Sequence, residues 1–254
     1  MANAVPANLE AFFAAHPRLA LAFSGGVDSA YLLYAARACG CDVKAYYVCS
    51  AFQPAFERED ARRLAEDLGA EVRFIPVNVL EDETVRSNPA DRCYHCKRRI
   101  FSAIMASAKA DGYDAVIDGT NASDDANDRP GMRALCEMRV LSPLRLCGIA
   151  KAQVREYSRQ AGLFTWDKPA YACLATRVPT GTALTAEWLQ KIEAAEDRLF
   201  KLGFSDFRCR VFHGAARLQF RRDQMDRAVA MRYDIRRALK PDFDIILLDT
   251  EDRG

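Results

Sequence analysis

The stretch FSGGVDSAYLLYAARACG, residues 23–40, decides the fold of the first part of the chain. It continues the apolar run 19–23, which predicts a short buried strand, and apolar side chains then recur with helical spacing over 27–38. The element is therefore a strand, a tight turn and a helix. Gly25 and Gly26 let the main chain approach a bulky ligand, and the amides that open a helix favour an anion such as phosphate.

The turn differs from the common phosphate loop, which ends in Gly-Lys-Ser or Gly-Lys-Thr, because no Gly-Lys pair occurs in the 254 residues. Without that lysine, the turn suits a pyrophosphate that leaves as one unit. The stretch resembles the SGGxDS signature of the ATP pyrophosphatases, the PP-loop family. The resemblance implies an enzyme that adenylates its substrate, uses ATP with Mg²⁺ and releases AMP and pyrophosphate. It assigns ATP binding to six residues, with Asp28 also catalytic: Ser24, Gly25, Gly26, Val27, Asp28 and Ser29.

Composition limits the class of protein. With 50% hydrophobic and 28% charged residues, the chain can bury one large core and a smaller second one. A net charge of +1 argues against a nucleic-acid partner. The chain has no run of eighteen apolar residues and no signal-peptide pattern at its N-terminus. We therefore expect a cytoplasmic protein with no membrane partner.

Helix and strand patterns alternate along the chain, which predicts an α/β fold with a doubly wound, mostly parallel sheet. This is the PP-loop, adenine nucleotide alpha hydrolase-like arrangement. The polar stretch 177–182 predicts a boundary between a PP-loop domain, residues 1–180, and a small α/β domain for substrate binding and oligomerisation, residues 184–254. The predicted elements are helices 9–15, 27–38, 56–68, 97–110, 185–202 and 223–239, and strands 19–23, 43–48, 71–77, 115–117, 207–212, 216–220 and 243–248, with a loop over 78–95.

A second polar loop, DGTNASDDANDRPGMR at 118–133, follows a predicted strand. It would lie at the carboxyl edge of the sheet, where ligands bind in such folds. Its oxygen-bearing side chains and a close-approach glycine fit a Mg²⁺–triphosphate site, and it resembles the DGTN segment of PP-loop enzymes. Taken alone, the loop fits a solvated acidic surface equally well. The ATP-binding candidates are Gly119, Thr120, Asn121 and Asp125.

The nine cysteines divide into a closely spaced pair, Cys173 and six others. Cys93 and Cys96 lie three residues apart in DRCYHCKRR, a spacing at which both sulfurs can reach one metal ion or iron–sulfur cluster. Single cysteines among apolar residues behave as small packing groups. We expect packing roles for Cys39, Cys41, Cys49, Cys136, Cys147 and Cys209.

The segment WDKPAYACLATR, residues 166–177, sets Cys173 between Lys168 and Arg177. Neighbouring cations favour the thiolate, the form required for both nucleophilic and metal chemistry. The segment resembles the W-x-K-P…C-L-A-[ST]-R stretch of LarE-type sulfur transferases, which act in biosynthesis of the nickel-pincer nucleotide. The resemblance implies that a carboxylate of pyridinium-3,5-biscarboxylic acid mononucleotide is adenylated and then converted to a thiocarboxylate. Cys173 and Arg177 are the catalytic candidates in this segment.

The resemblance leaves the sulfur carrier open between two branches. In one, three cysteines hold a [4Fe-4S] cluster that carries sulfide from an outside donor, and Cys93, Cys96 and Cys173 match this pattern. In the other, Cys173 is sacrificed as the sulfur donor. A structural zinc with His95 or His213 as fourth ligand also fits the spacing. We favour the cluster. The resemblance further implies a homo-oligomer such as a hexamer.

The segment FRCRV, residues 207–211, predicts how the substrate is held. Side chains alternate along a strand, so Arg208 and Arg210 share the face opposite to Phe207 and Cys209. Two guanidinium groups on one face suit bidentate recognition of the substrate phosphate, and Glu196 is a candidate for orienting them.

Two other functions fit parts of the sequence. PP-loop proteins with paired cysteines also thiolate tRNA, and the arginines between 208 and 222 could serve an RNA surface. An ATP-binding scaffold protein would keep SGGVDS but gives no reason for three ordered cysteines. Both stand behind the sulfur transferase.

Overall fold

The computed structural model describes residues 4–124 and 130–253. Its helices are α1 (Ala7–Ala15), α2 (Val27–Ala38), α3 (Ala55–Asp67), α4 (Glu83–Arg86), α5 (Arg92–Ala110), α6 (Pro130–Glu137), α7 (Pro143–Leu146), α8 (Lys151–Gln160), α9 (Ala186–Lys201), α10 (Arg222–Ala230) and α11 (Arg232–Leu239). Its strands are β1 (Arg18–Ala22), β2 (Asp42–Cys49), β3 (Val72–Pro76), β4 (Val116–Ile117), β5 (Arg208–Phe212), β6 (Ala215–Gln219) and β7 (Ile246–Leu248). Short 3₁₀ turns cover Val79–Glu81 and Leu174–Arg177.

The first compact unit is built on a parallel sheet with strand order β3-β2-β1-β4. The unit contains the described residues up to Ser50, Ala55–Val79 and Asp91–Lys168. In β1, Leu19 and Leu21 pack into one buried cluster with α2, and Ala20 packs into another with α5. This alternation gives the sheet helices on both faces. The predicted α/β fold with a parallel sheet is confirmed.

The second compact unit is built on a small mixed sheet with strand order β5-β6-β7. It contains Ala51–Pro54, Leu80–Ala90 and the described residues from Pro169 onward. Strands β5 and β6 are antiparallel, while β6 and β7 are parallel. Phe207 and Phe220 are buried with ring centroids 5.9 Å apart, and they form part of an aromatic core. The boundary between residues 180 and 184 stays a prediction.

The structure differs from the predicted elements mainly in two regions of the chain. The loop expected over 78–95 contains α4, whose first amides donate to the Asp82 carboxylate at 3.0 and 3.2 Å, and α5 begins at Arg92 instead of 97. Cys93 and Cys96 therefore lie inside a helix. The single helix expected over 223–239 is two helices, because Met231 has φ −91° and ψ 15°. Nothing in the local sequence explains that break.

Across residues 4–124 and 130–253, we find no helix that combines the length and apolar character needed to cross a membrane.

Candidate active site

The turn after β1 has a main-chain shape that depends on glycine. Gly25 has φ +72°, a conformation that favours glycine, and a Cβ there would lie 3.2 Å from the Ala61 Cβ atom. Gly26 is the residue before α2. The first amides of a helix have no carbonyl partner within it, so the turn leads into a set of N–H donors.

Two serine side chains hold this turn closed. The Ser29 hydroxyl donates to the Gly26 carbonyl at 3.2 Å and accepts from the Ser24 amide at 3.2 Å. The two serine hydroxyl oxygens are 3.1 Å apart. The turn is therefore fixed by hydrogen bonds within the chain itself, which is the pre-organisation that a phosphate site requires.

A lysine from a distant part of the chain reaches this turn. The Lys151 Nζ atom lies 2.5 Å from Oδ2 of Asp28, and Lys151 is the first residue of α8. Asn121 donates to the other Asp28 oxygen at 3.3 Å. The turn itself lacks the usual Gly-Lys pair, but the fold supplies a cation beside it. Sequence reasoning missed Lys151 because no local spacing connects it with residues 24–29.

The loop after β4 approaches the start of α2 closely. Strands β1 and β4 are neighbours, with Leu21 opposite Ile117, so the two following loops start side by side. A Cβ at Gly119 would lie 3.0 Å from the Ser29 amide nitrogen and 3.2 Å from the Asp28 Cβ atom. The structure thus brings Gly119 and Asn121 to the turn, as expected of a shared site.

The polar side chains of this loop bond mainly to one another. Buried Asp118 accepts hydrogen bonds from the Thr120 hydroxyl at 2.5 Å and the Ser142 hydroxyl at 2.6 Å. Asn121 accepts from the Ser123 amide at 2.9 Å. These bonds shape the loop, while direct ATP contacts of Thr120 and Asn121 stay predictions. Asp125 lies outside the described residues.

The cysteine pair lies in the first turn of α5. Cys93 is exposed and Cys96 is half-buried, and residues three apart on a helix share a face. The Arg92 guanidinium donates to the Cys93 sulfur at 3.5 Å, and His95 Nε2 lies 3.2 Å from Asp91 Oδ2. Within the described ranges, no three or more His, Cys, Asp or Glu side chains form a group that could hold a metal ion. The predicted ligand set thus stays a prediction.

Cys173 belongs to the second unit and directly precedes a 3₁₀ turn. Its carbonyl accepts from the Thr176 hydroxyl at 2.8 Å. The next amide, from Leu174, donates to the Phe52 carbonyl at 2.9 Å. Lys168, which the sequence placed near this cysteine, pairs with Asp60 at 2.7 Å in the first unit. The main chain around Cys173 is therefore anchored on its C-terminal side.

Arg177 forms a fully buried ion pair with Glu196. Its Nε atom donates to Glu196 Oε1 at 2.8 Å, and the two side chains are 0% and 2% exposed. The Glu196 carboxylate also accepts from the Cys209 amide at 3.0 Å. Burial of both charges requires this pairing and these hydrogen bonds. A role for Arg177 in activating Cys173 stays a prediction, since its side chain contacts Glu196, the Thr176 hydroxyl and the Tyr171 ring.

Arg208 and Arg210 extend from β5 towards the same segment. Arg208 is only 7% exposed, and it donates to the carbonyls of Phe207 at 2.7 Å and Ala170 at 3.0 Å. Burial, and next the nearby charge of Arg177, lower the pKa of Arg208 to about 10. Arg210 is half-buried and donates to the Thr176 carbonyl at 2.8 Å. The pair keeps its positive charge at neutral pH, and phosphate binding stays a prediction.

Comparison with known proteins identifies the family. The family model described as thiamine biosynthesis protein (ThiI) matches residues 14–199. The chain belongs to the ThiI-like PP-loop ATP pyrophosphatases. This match covers β1, the turn after it and the Cys173 segment. The family uses ATP and transfers sulfur.

Three relatives extend the comparison. An uncharacterized protein of Synechocystis sp. is 36% identical over 223 residues, which is 87% of this chain and 83% of that protein. Pyridinium-3,5-bisthiocarboxylic acid mononucleotide synthase of Lactiplantibacillus plantarum is 34% identical over 204 residues, 80% of this chain and 74% of that enzyme. The tRNA-specific 2-thiouridylase MnmA of Frankia alni is 31% identical over 189 residues, 60% of this chain and 53% of that enzyme.

The cysteines that were expected to pack show mixed outcomes. Cys209 is fully buried and burial raises the pKa of its thiol, while Cys41 is buried with a thiol pKa raised to about 11. Both predictions of a packing role are confirmed. The prediction for Cys136 is wrong, because α6 leaves it exposed. The apolar neighbours of Cys136 in the sequence lie on other sides of that helix.

Proposed function

We propose that this PP-loop protein adenylates a carboxylate of pyridinium-3,5-biscarboxylic acid mononucleotide and converts it to a thiocarboxylate. The observation that carries the proposal is the Asp28–Lys151 pair, 2.5 Å apart, beside the glycine turn that opens α2. Similarity to the pyridinium-3,5-bisthiocarboxylic acid mononucleotide synthase of Lactiplantibacillus plantarum supports the choice of substrate. The Cys173 segment supports the choice of sulfur transfer over simple nucleotide hydrolysis.

The first step is attack of a substrate carboxylate oxygen on the α-phosphorus of ATP. The bond from that phosphorus to the bridging oxygen breaks, and pyrophosphate leaves with the electron pair. Lys151 and the amides at the start of α2 stabilise the negative charge that builds on the phosphates. Mg²⁺ supplies charge neutralisation when it is bound, and Asp28 offers the carboxylate oxygens that this ion prefers.

The second step is attack of a sulfur nucleophile on the acyl adenylate. A carbon–sulfur bond forms, the carbon–oxygen bond to AMP breaks, and AMP carries away the electron pair. If Cys173 is the donor, a base then removes its Cα proton and its Cβ–Sγ bond breaks with the electron pair left on sulfur, which releases the thiocarboxylate and leaves dehydroalanine. If sulfide is the donor, the thiocarboxylate forms directly and the chain can turn over.

The [4Fe-4S] cluster belongs to this proposal as the favoured carrier of that sulfide. Helix α5 supports it by placing Cys93 and Cys96 on one face. Among the described residues, no three or more His, Cys, Asp or Glu side chains are grouped to hold a metal ion, so the cluster rests on the cysteine pattern alone. Anaerobic purification, followed by measurement of bound iron, zinc and acid-labile sulfide, tests for the cluster. A cluster that needs all three residues should be lost in Cys93→Ser, Cys96→Ser and Cys173→Ser, while Cys136→Ser, on an exposed cysteine, is the matched control.

Product analysis tests the proposed reaction. The protein is incubated with ATP, Mg²⁺, the mononucleotide and sulfide, and AMP, pyrophosphate and thiocarboxylate are quantified. Equal amounts of AMP and pyrophosphate that depend on the mononucleotide support the proposal. ADP as the main nucleotide product contradicts it. Loss of the mass of H₂S from the Cys173 peptide after one turnover, with no iron bound, selects the sacrificial mechanism over the cluster.

Arg208 and Arg210 are proposed to hold the substrate phosphate, supported by their shared strand face and retained charge. Loss of one charge-assisted contact costs about 1.5–3 kcal/mol, which is roughly ten- to a hundredfold in affinity. Calorimetry on Arg208→Ala and Arg210→Ala should show this loss for the mononucleotide with ATP affinity unchanged.

Light scattering tests the further proposal of a homo-oligomer.

Thiolation of tRNA is the second candidate, favoured by the similarity to the Frankia alni thiouridylase. Incubation of the protein with unmodified tRNA, ATP and labelled sulfide separates the two functions. Label in the nucleic acid, with none in the mononucleotide, replaces the first proposal by the second.

A further inference from the structure

Tyr171 lies two residues before Cys173 and is held on both its ring and its hydroxyl group. The guanidinium carbons of Arg177 and Arg208 lie 4.7 and 5.5 Å from the centre of its ring. The Tyr171 hydroxyl donates a hydrogen bond to Glu196. An aromatic ring close to two guanidinium groups gains cation–π attraction to each, so the side chain has one strongly preferred position.

The groups that hold Tyr171 are themselves fixed. Glu196 lies on α9 and is fully buried, where its carboxylate accepts from Arg177 at 2.8 Å and from the Cys209 amide on β5 at 3.0 Å. Arg208 is held by the Phe207 carbonyl at 2.7 Å. Tyr171 is therefore attached to a rigid point where a helix and a strand meet.

The main chain is anchored on both sides of Cys173. On the N-terminal side, the Ala170 carbonyl accepts from Arg208 at 3.0 Å. On the C-terminal side, the Leu174 amide donates to the Phe52 carbonyl at 2.9 Å. Between these points the chain has three residues, and Tyr171 is the one whose side chain reaches Glu196. Its contacts remove most of the remaining freedom of the segment.

Glu196 keeps other hydrogen bonds without Tyr171. Its Oε1 atom accepts from Arg177 at 2.8 Å and from the Cys209 amide at 3.0 Å, while its Oε2 atom accepts from Tyr171 and, at 3.4 Å, from Arg177. A residue needed only to fill space could be any large apolar side chain. The hydroxyl contact fixes the orientation of the segment that carries Cys173 more than it stabilises the core.

We propose that Tyr171 is a positioning residue that fixes the Cys173 sulfur for the thiolation step, in which that sulfur either attacks the acyl adenylate or helps to hold the sulfide carrier. This inference rests on the proposed function. Tyr171 acts through the main chain that it shares with Cys173 and through its contacts with Glu196, Arg177 and Arg208. It should therefore govern sulfur transfer and leave adenylation intact.

Alkylation of Cys173 tests the inference without using enzyme activity. Iodoacetamide labelling is followed by mass spectrometry of the Cys173 peptide, with the peptide of exposed Cys136 as the internal reference. Loss of two cation–π contacts and a hydrogen bond in Tyr171→Leu should raise the labelling ratio about three- to tenfold. Tyr171→Phe keeps the ring and should give a smaller rise. Tyr233→Leu, at a 64% exposed tyrosine of the same unit, should change nothing.

Kinetics supply the second readout. In Tyr171→Leu, the rate of thiocarboxylate formation in a single turnover should fall while the rate of pyrophosphate release and the affinity for ATP stay unchanged. An unchanged labelling ratio in a folded Tyr171→Leu protein overturns the inference, as does an equal fall of both rates. If that variant does not fold, an unchanged ratio in Tyr171→Phe overturns it. Wild-type protein that forms no thiocarboxylate refutes the proposed function instead, since the labelling ratio is measured independently.

Discussion

Replacement of Lys151 by alanine separates a role in ATP chemistry from a role in stability. Its Nζ atom lies 2.5 Å from Asp28, and the two side chains are 34% and 21% exposed. Ion pairs that remain partly in water contribute at most about 1 kcal/mol to folding. For a chain of this size, that corresponds to a fall of roughly 2–4 °C in Tm. Lys151→Ala should therefore fold and stay stable at room temperature.

The expected effect on the reaction is much larger. A charge-assisted contact to a phosphate is worth about 1.5–3 kcal/mol, which corresponds to a roughly 10- to 150-fold slower release of pyrophosphate. The assay measures pyrophosphate release at saturating ATP and mononucleotide, alongside thermal unfolding of the same sample. Lys191→Ala is the matched control, because Lys191 lies 2.6 Å from Glu187 with side chains 33% and 74% exposed.

The control should lose little stability and no activity. Lys151→Ala with wild-type pyrophosphate release would refute the assignment of Lys151 to the ATP site. A loss of activity that only follows a large loss of folded protein would refute the claim that the Asp28–Lys151 pair serves chemistry more than stability.

Three other changes give distinct results. Gly119→Ala places a Cβ 3.0 Å from the Ser29 amide, so we expect about 1–3 kcal/mol of destabilisation together with lost ATP binding, measured by thermal unfolding with and without ATP. Side-chain hydrogen bonds from Arg73, and next from Tyr46 and Lys44, lower the pKa of Asp111 from 3.8 to about 2. The ionised Asp111 carboxylate therefore stabilises the fold above its ordinary pKa, and this stabilisation is lost as the pH falls towards 2. Asp111→Asn should lower the unfolding midpoint at neutral pH, and its difference from wild type should narrow on acidification. Arg210→Ala also removes the hydrogen bond to the Thr176 carbonyl. A mononucleotide affinity equal to that of wild type would show that the role of Arg210 is purely structural.

Local pattern was enough to predict the element that starts the site. The apolar residues of 27–38 predict a helix with the same limits as α2, and the two glycines predict the turn before it. Helical and strand spacing depend on neighbours within a few residues, so a linear sequence contains that information. The order of elements therefore predicted the α/β fold with its parallel sheet and a small α/β unit after it.

Local sequence pattern was not enough to predict the structure where more distant hydrogen bonds or burial also decide it. Helix α5 starts five residues earlier than expected, at Arg92, and this places Cys93 and Cys96 on a helix in place of a loop. The alternation in 207–211 correctly separates Phe207 from Arg208, but it predicts a solvent-facing arginine where the structure has one that is 7% exposed. Strand alternation assigns a face and does not show what covers it.

The sequence by itself determined the strand, turn and helix that begin the site, and the close spacing of Cys93 and Cys96. Only the tertiary structure decided which charges meet. Lys151 reaches Asp28 across 123 residues of chain, and Glu196 joins Tyr171, Arg177 and the amide of Cys209 from a separate helix. The physical reason is that such contacts depend on how strands pair and helices pack, and those distances are not set by any local spacing.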